Sequence, residues 1–346
     1  MSADTSADNK ILVIGPSWVG DMVLAQSLFK VLKQQNPAIA IDVAAPGWTL
    51  PLLERMPEIN EAIPLPFSHG KLDLGKRIKI GRSLKRRGYS QAILLTNSMK
   101  SGLVPFSAHI PKRTGFLGEY RYGLLNDIRP LDKQKLPRTV DRFVALGLQP
   151  EQPLPTSIPA PQLIPNNLNA LLALQRLARP LPTTRVLGLC PGAEYGPAKR
   201  WPADYYSEVA CAVLERGWEV WLFGSQKDTE VTASINEQTK NKCTDFGGKT
   251  SLGEAVDLMS LTHTVVSNDS GLMHVAAALG KKVISIFGSS DPYHTPPMNK
   301  EAIILYLGLD CSPCFERECP LGHLNCLKAI TPQLVIQSSP DLSRTE

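Results

Sequence analysis

Short apolar runs alternate along the chain with longer segments whose apolar residues recur every three or four positions. Ile11-Leu12-Val13-Ile14 lies in the first expected strand, Lys10–Gly15, and Asp21–Gln35 follows with Val23, Leu24, Leu28, Val31 and Leu32 at helical spacing. The pattern then predicts a strand over Ile39–Ala45, a short helix near Leu50–Met56, a strand over Glu61–Leu65 and a helix over Leu74–Arg87 stopped by Gly88. Gln91–Thr96 is again strand-like, and Thr139–Leu146 is helical. Prolines 150, 153, 155, 159, 161 and 165 break the rhythm and mark a linker over about 149–165.

A second series follows the linker. Leu168–Leu177 is expected as helix, Arg185–Cys190 as strand, Ala203–Glu215 as helix and Glu219–Phe223 as strand. Helices over Asp228–Glu237 and Leu252–Leu261, a strand over Thr264–Ser267, a helix over Gly271–Leu279 and a strand over Lys282–Phe287 complete it, with Thr331-Pro332 starting a short last helix. Strands separated by helices argue for parallel sheets covered on both faces. The expected fold is therefore α/β, with two Rossmann-like parallel-sheet domains facing a cleft: 10–165 including the linker, and 166–346. Ligands in such sheets bind at the carboxyl ends of strands.

A length of 346 residues suits two cores, and 43% hydrophobic with 20% charged residues describes an ordinary globular chain. No run of 18 apolar residues is present, so no membrane span is expected. Residues 1–9 are polar without an apolar stretch, and are read as a loose leader and not a signal peptide. The net charge of +5 conceals an asymmetry. Residues 10–150 hold 21 Lys/Arg against 10 Asp/Glu, densest from Lys76 to Arg87, whereas 151–346 hold 16 against 20. The basic half is either a solvated helix face or a surface for an acidic partner: anionic lipid, a phosphorylated substrate or nucleic acid. With 6% aromatics and no binding motif, nucleic acid is not expected.

Three stretches carry chemistry. Gly15-Pro16-Ser17-Trp18-Val19-Gly20-Asp21 has the outline of a phosphate loop, but an acid, Asp21, stands where such a loop needs lysine. Val265–His274 ends a strand in Asn268-Asp269-Ser270-Gly271 and turns at once into a helix; Ser270 or Asp269 is expected to cap it, and the helix start suits a diphosphate. Pro191–Pro202 combines glycines with Glu194, Lys199 and Arg200 after a strand, and Lys199 suits the charge growing on a leaving group. No Asp-x-Asp occurs, so the usual cue for a metal-bound sugar nucleotide is missing. Late in the chain, Cys311, Cys314, Cys319 and Cys326 enclose His323 at a spacing compatible with structural zinc, reduced thiols or a disulfide.

GPSWVGDM, NSMKSGLVPF, RTGF–RYGLLND, CPGAEYGPAKRWP, FGSQKD and NDSGLMHVAAAL together resemble the bacterial lipopolysaccharide heptosyltransferases, from about Lys10 to Phe287 and beyond. The resemblance implies a GT-B glycosyltransferase with the acceptor mainly on the first domain and ADP-heptose mainly on the second. It implies inverting transfer of L-glycero-D-manno-heptose to the first heptose of the inner core on Kdo2-lipid A, with no cofactor required. Relatives of types I and III act on other core acceptors and are the near alternative. A GT-B sugar-nucleotide 2-epimerase and a non-catalytic binding protein are the remote ones.

Residue by residue, the resemblance makes Asp21 the base and Lys199 the diphosphate contact. It places Asp269, Ser270, Gly271 and His274 in the donor loop, and Glu194 and Tyr195 on the phosphate side. Asp228 falls at the ribose and Thr250 near the adenine, while Arg113 and Arg121 are candidates for acceptor contacts. A reduced, cytoplasmic setting, peripheral at the inner face of the inner membrane, is expected.

Overall fold

The computed structural model describes residues 10–67 and 72–343. The leader at residues 1–9 lies outside the described residues. Two compact units divide the chain at Pro161/Gln162.

In the first unit the strands are β1 (Lys10–Ile14), β2 (Ala40–Pro46), β3 (Ile59–Leu65), β4 (Gln91–Leu94), β5 (Lys112–Phe116) and β6 (Asp127–Arg129). They form one parallel sheet in the order β3-β2-β1-β4-β5-β6. The second unit contributes β7 (Val186–Cys190), β8 (Glu219–Leu222), β9 (Thr244–Asp245), β10 (Thr264–Asn268), β11 (Lys282–Ile286) and β12 (Ile303–Leu305). These order as β12-β11-β10-β7-β8-β9, again parallel, which is the same winding repeated. Each sheet thus reverses direction beside its first strand, between β1 and β4 and between β7 and β10, where doubly wound sheets bind ligands.

The central strands are mostly apolar because helices cover both faces, with buried polar exceptions such as Asp42 in β2 and Asn268 in β10. Leu12, Val13, Ile41, Val43, Ala92 and Ile93 are fully buried in one sheet, and Leu187, Leu189, Val265, Val266 and Ile284 in the other. These were the strands visible in the sequence. Four short strands were not: β5 and β6 include polar or charged residues, β9 has two residues, and β12 is an edge. Edge and near-edge strands need no apolar run, so periodicity does not announce them.

Helix boundaries shift in two places that matter. The first helix is Val19–Gln35, beginning two residues ahead of Asp21, so Asp21 sits in its first turn. The basic helix is Leu74–Leu84, followed by a single 3-10 turn over Lys85–Arg87, and Gly88 ends it with φ 67°. Arg77 does not join the charged face. It is buried, donating Nε to Leu72 O (2.6 Å) and Nη1 to Lys100 O (3.2 Å), with its guanidinium on the Phe67 ring. Lys76, Lys79, Arg82 and Arg86 remain exposed.

No regular element lies between Leu146 and Asn167. This proline-rich strap is pinned within each unit: Lys30 Nζ donates to Ala160 O (2.9 Å) in the first, and Leu163 N to Ala278 O (2.9 Å) in the second.

Candidate active site

In the second unit the loops leaving β7 and β10 meet at the switch point, and one buried side chain joins them. Asn268 closes β10 with no exposed surface. Its Nδ2 donates to Pro191 O (2.6 Å), and its Oδ1 accepts from Trp201 N and Tyr206 Oη, both at 3.0 Å. The start and end of the 191–201 loop therefore hang on the residue preceding Asp269. Trp201 is in turn buried in the core and donates Nε1 to Ile330 O (2.8 Å).

Lys199 and Asp269 are brought together. Lys199 Nζ lies 2.5 Å from Asp269 Oδ2, and the hydroxyl of buried Ser290 donates to that same oxygen. Ser290 follows β11, the next strand over. Nothing in the sequence pattern singled it out; its position just past the carboxyl end of an apolar strand is the one available signal.

The helix Gly271–Ala278 begins beside this pair. Ser270 occupies the N-cap position, but its side chain makes no cap hydrogen bond and sits 3.3 Å from Ser267 Oγ. The expected side-chain cap is absent, and the first-turn N–H groups keep their affinity for an anion. His274 is buried one turn in, with Nδ1 unpartnered, and burial holds its pKa down at about 4, so the ring is neutral at pH 7.

Around the rim, Glu194 is exposed and ion-paired with Lys227. Asp228 closes a capping turn, its Oδ2 accepting from Ser225 N (2.9 Å) and Ser225 Oγ (2.7 Å). A Cβ on Gly192 would come within 2.4 Å of the Asp228 carboxylate, so only glycine lets the β7 and β8 loops touch there. Thr250 is half-buried in the loop after β9.

The cysteine-rich segment packs behind the same loops. Cys311, Cys314, Cys319 and Cys326 are free thiols lining one cavity of about 20 Å³ with His323, Ala198 and Ser289. Among the described residues, no group of three or more His, Cys, Asp or Glu side chains is arranged to hold a metal ion. The four cysteines, spaced like zinc ligands in the sequence, share this cavity with His323 and Ser289. Backbone N–H groups of Leu324, Leu321, Gly322 and His323 hold the Cys319 thiol below its usual range.

In the first unit, Asp21 is half-buried in the helix turn that follows β1. Gly15 packs closely at the strand end, where a Cβ would crowd Val43 and Ala45 at 3.2 and 3.3 Å and displace the Met22 methyl. Trp18, at the N-cap, is largely exposed.

The two arginines separate. Arg121 is 1% exposed, and its guanidinium donates to Thr96 O (2.6 Å), Phe116 O (2.6 Å), Ser101 Oγ (3.0 Å) and Asn97 Oδ1 (3.2 Å). Burial lowers its pKa to about 10. It clamps the loops after β4 and β5, and the expectation that it contacts acceptor is corrected: its side chain is buried and both terminal nitrogens are bonded inside the protein. Arg113 is partly exposed and stacks on Phe106, but gives Nε to Leu124 O and Nη1 to Ile110 O, both at 2.7 Å.

Two doubly wound units, the second with an ion-paired lysine and an open helix start at its switch point, form a GT-B architecture. The pattern of glycosyltransferase family 9 (heptosyltransferase) matches residues 77–325. The chain belongs to that family. It is 45% identical over 338 residues to lipopolysaccharide heptosyltransferase 2 of Escherichia coli K12, covering 95% of this chain and 97% of the relative. It is 44% identical to the protein of that name from Salmonella typhimurium LT2, with coverages of 97% and 99%. The solved structure of E. coli ADP-heptose lps heptosyltransferase II superposes with a TM-score of 0.86 at 42% identity, covering 96% and 98% of the two chains.

Proposed function

We propose that this protein transfers L-glycero-D-manno-heptose from ADP-heptose to the first heptose of heptosyl-Kdo2-lipid A, inverting the anomeric centre. The observation that carries the reading is the Lys199–Asp269–Ser290 cluster beside the open helix start at Gly271. A diphosphate at that start meets backbone N–H groups, the helix dipole and the Lys199 ammonium. All three gain strength as negative charge grows on departing ADP, which lowers the barrier. Asp269 then offers its carboxylate to the sugar hydroxyls, neutral His274 supports the loop, and Asp228 and Thr250, in the loops that follow β8 and β9, are suited to the nucleoside. Glu194 and Tyr195 border the phosphates.

Inversion is one displacement: the acceptor hydroxyl attacks the anomeric carbon as the bond to ADP breaks. Asp21 takes the hydroxyl proton in this reading, as a general base within the first helix turn. The second unit is then the donor domain, and the first, with Arg113, the acceptor domain.

The lipid-anchored acceptor gives the basic helix a purpose. Lys76, Lys79, Arg82 and Arg86 fall on one exposed face with no acidic residue from Leu74 to Arg87. Such a face suits anionic headgroups at about 1 kcal/mol per cation. No helix among the described residues is long and apolar enough to cross a membrane, and we place this protein at the cytoplasmic surface of the inner membrane.

The test supplies purified protein with ADP-heptose and either heptosylated or unheptosylated Kdo2-lipid A. Transfer to the heptosylated acceptor alone is expected. Transfer to the unheptosylated one would move the assignment to a different core position, and no transfer to either would end it.

A further inference from the structure

The cysteine-rich segment has no part in the reaction as described, yet it delivers a cation to the donor loop. Arg317 lies with its guanidinium carbon 5.3 Å from the centre of the Tyr195 ring, and Lys199 Nζ lies 4.9 Å from the same centre. One ring therefore carries two positive charges, one from each segment.

Their circumstances differ. Lys199 is bonded to Asp269, and nearby Lys227 to Glu194. Arg200 turns its guanidinium to Ala193 O at 3.3 Å. Arg317 is exposed, and among the described residues its guanidinium has no hydrogen-bond or ion-pair partner. Its own neighbours Glu316 and Glu318 are exposed and form no ion pair with it.

The backbone beneath it is tightly held. Ala198 N donates to Arg317 O (3.0 Å), Tyr195 Oη to Phe315 O (2.6 Å), and Phe315 N to Ser289 O (2.7 Å). Gly196 makes the approach possible, because a Cβ there would come within 2.5 Å of Arg317 O. Phe315 adopts φ 58°, a conformation bulky residues avoid and which these bonds must sustain.

We infer that Arg317 is a second cation for the diphosphate of the nucleotide sugar, set by the cysteine-rich segment on the Tyr195 ring that Lys199 also contacts. This rests on the donor site proposed above. A diphosphate carries more than one negative charge, and Lys199 already shares its own with Asp269. A planar guanidinium suits phosphate oxygens and stays charged at any working pH. The segment around the four thiols is then a support for the backbone that carries this guanidinium.

Calorimetric titration of ADP, AMP and adenosine into the full chain, Arg317→Ala, Arg317→Lys and the remote exposed control Arg179→Ala tests this. The alanine variant should bind ADP about 10- to 100-fold more weakly while adenosine changes by less than about twofold. Lysine should recover part of the loss, and Arg179→Ala none of the effect. ADP affinity unchanged in Arg317→Ala, or adenosine weakened as much as ADP, would overturn the role of Arg317 alone. Wild-type protein that fails to bind ADP would instead remove the donor site and Arg317 with it. Melting temperatures of the variants show whether a loss is one of folding, and the lysine form retains the charge if alanine is poorly folded.

Discussion

Lys199 and Ser290 reach the same oxygen, Oδ2 of Asp269, from loops about 90 residues apart in sequence. One carboxylate oxygen is thus saturated by an ammonium and a hydroxyl. The other has no side-chain hydrogen bond within the described residues and is free to face a sugar hydroxyl. Ser290 acts through Asp269, which makes it a positioning residue. Ser290→Ala should lower kcat/KM roughly tenfold, the worth of one hydrogen bond to a charged group. Ser290→Thr, which keeps the hydroxyl, should restore most of it. Steady-state kinetics of the two variants decide the matter, and equal losses would refute the positioning role.

Asp21 is the proposed base, and the donor groups lie on the other unit. Asp21→Asn should reduce kcat by at least about a hundredfold, with ADP affinity nearly unchanged. Kinetics paired with ADP titration measure both. Turnover at wild-type rate would remove Asp21 from the chemistry.

Arg121 is a structural clamp whose loss leaves the carbonyls of Thr96 and Phe116 without a buried donor. Arg121→Ala is expected to lower unfolding stability by about 2–4 kcal/mol. Lysine should not rescue it, because one ammonium cannot span the guanidinium's four partners. Urea unfolding gives the value.

His274 sets a pH dependence whose sign is fixed by its burial. Its folded pKa, about 4, lies below the ordinary histidine value near 6.5, so the unfolded chain binds the proton first as pH falls. Stability from this group is intact above about pH 6.5 and declines through the window down to about pH 4, by up to about 3 kcal/mol. His274→Gln should flatten that part of the stability–pH curve. A curve of unchanged slope between those pH values would contradict the buried, neutral ring.

Much of this was legible in the chain itself. Central strands and long helices are announced by burial on both faces or along one stripe, which forces apolar runs and helical periodicity. Gly15–Asp21, Pro191–Pro202 and Asn268–His274 stood out because tight turns at strand ends need particular residue types. The short strands β5, β6, β9 and β12 stayed hidden because at or near an edge little apolar surface is buried.

What residue type alone could not settle was which charges are spent. Arg121 and Arg77 look like surface cations in sequence and are buried clamps in the fold. Arg317 looks like one charge among several in a cysteine-rich loop and shares the Tyr195 ring with Lys199. The sequence by itself determined the two α/β units and the tight loops at their strand ends, since both follow from local periodicity and turn requirements. Only the tertiary structure decided the partners of Asp269, the fate of each arginine and the common cavity of the four thiols. Those depend on contacts between residues far apart along the chain, and neither spacing nor composition encodes the distance between their atoms.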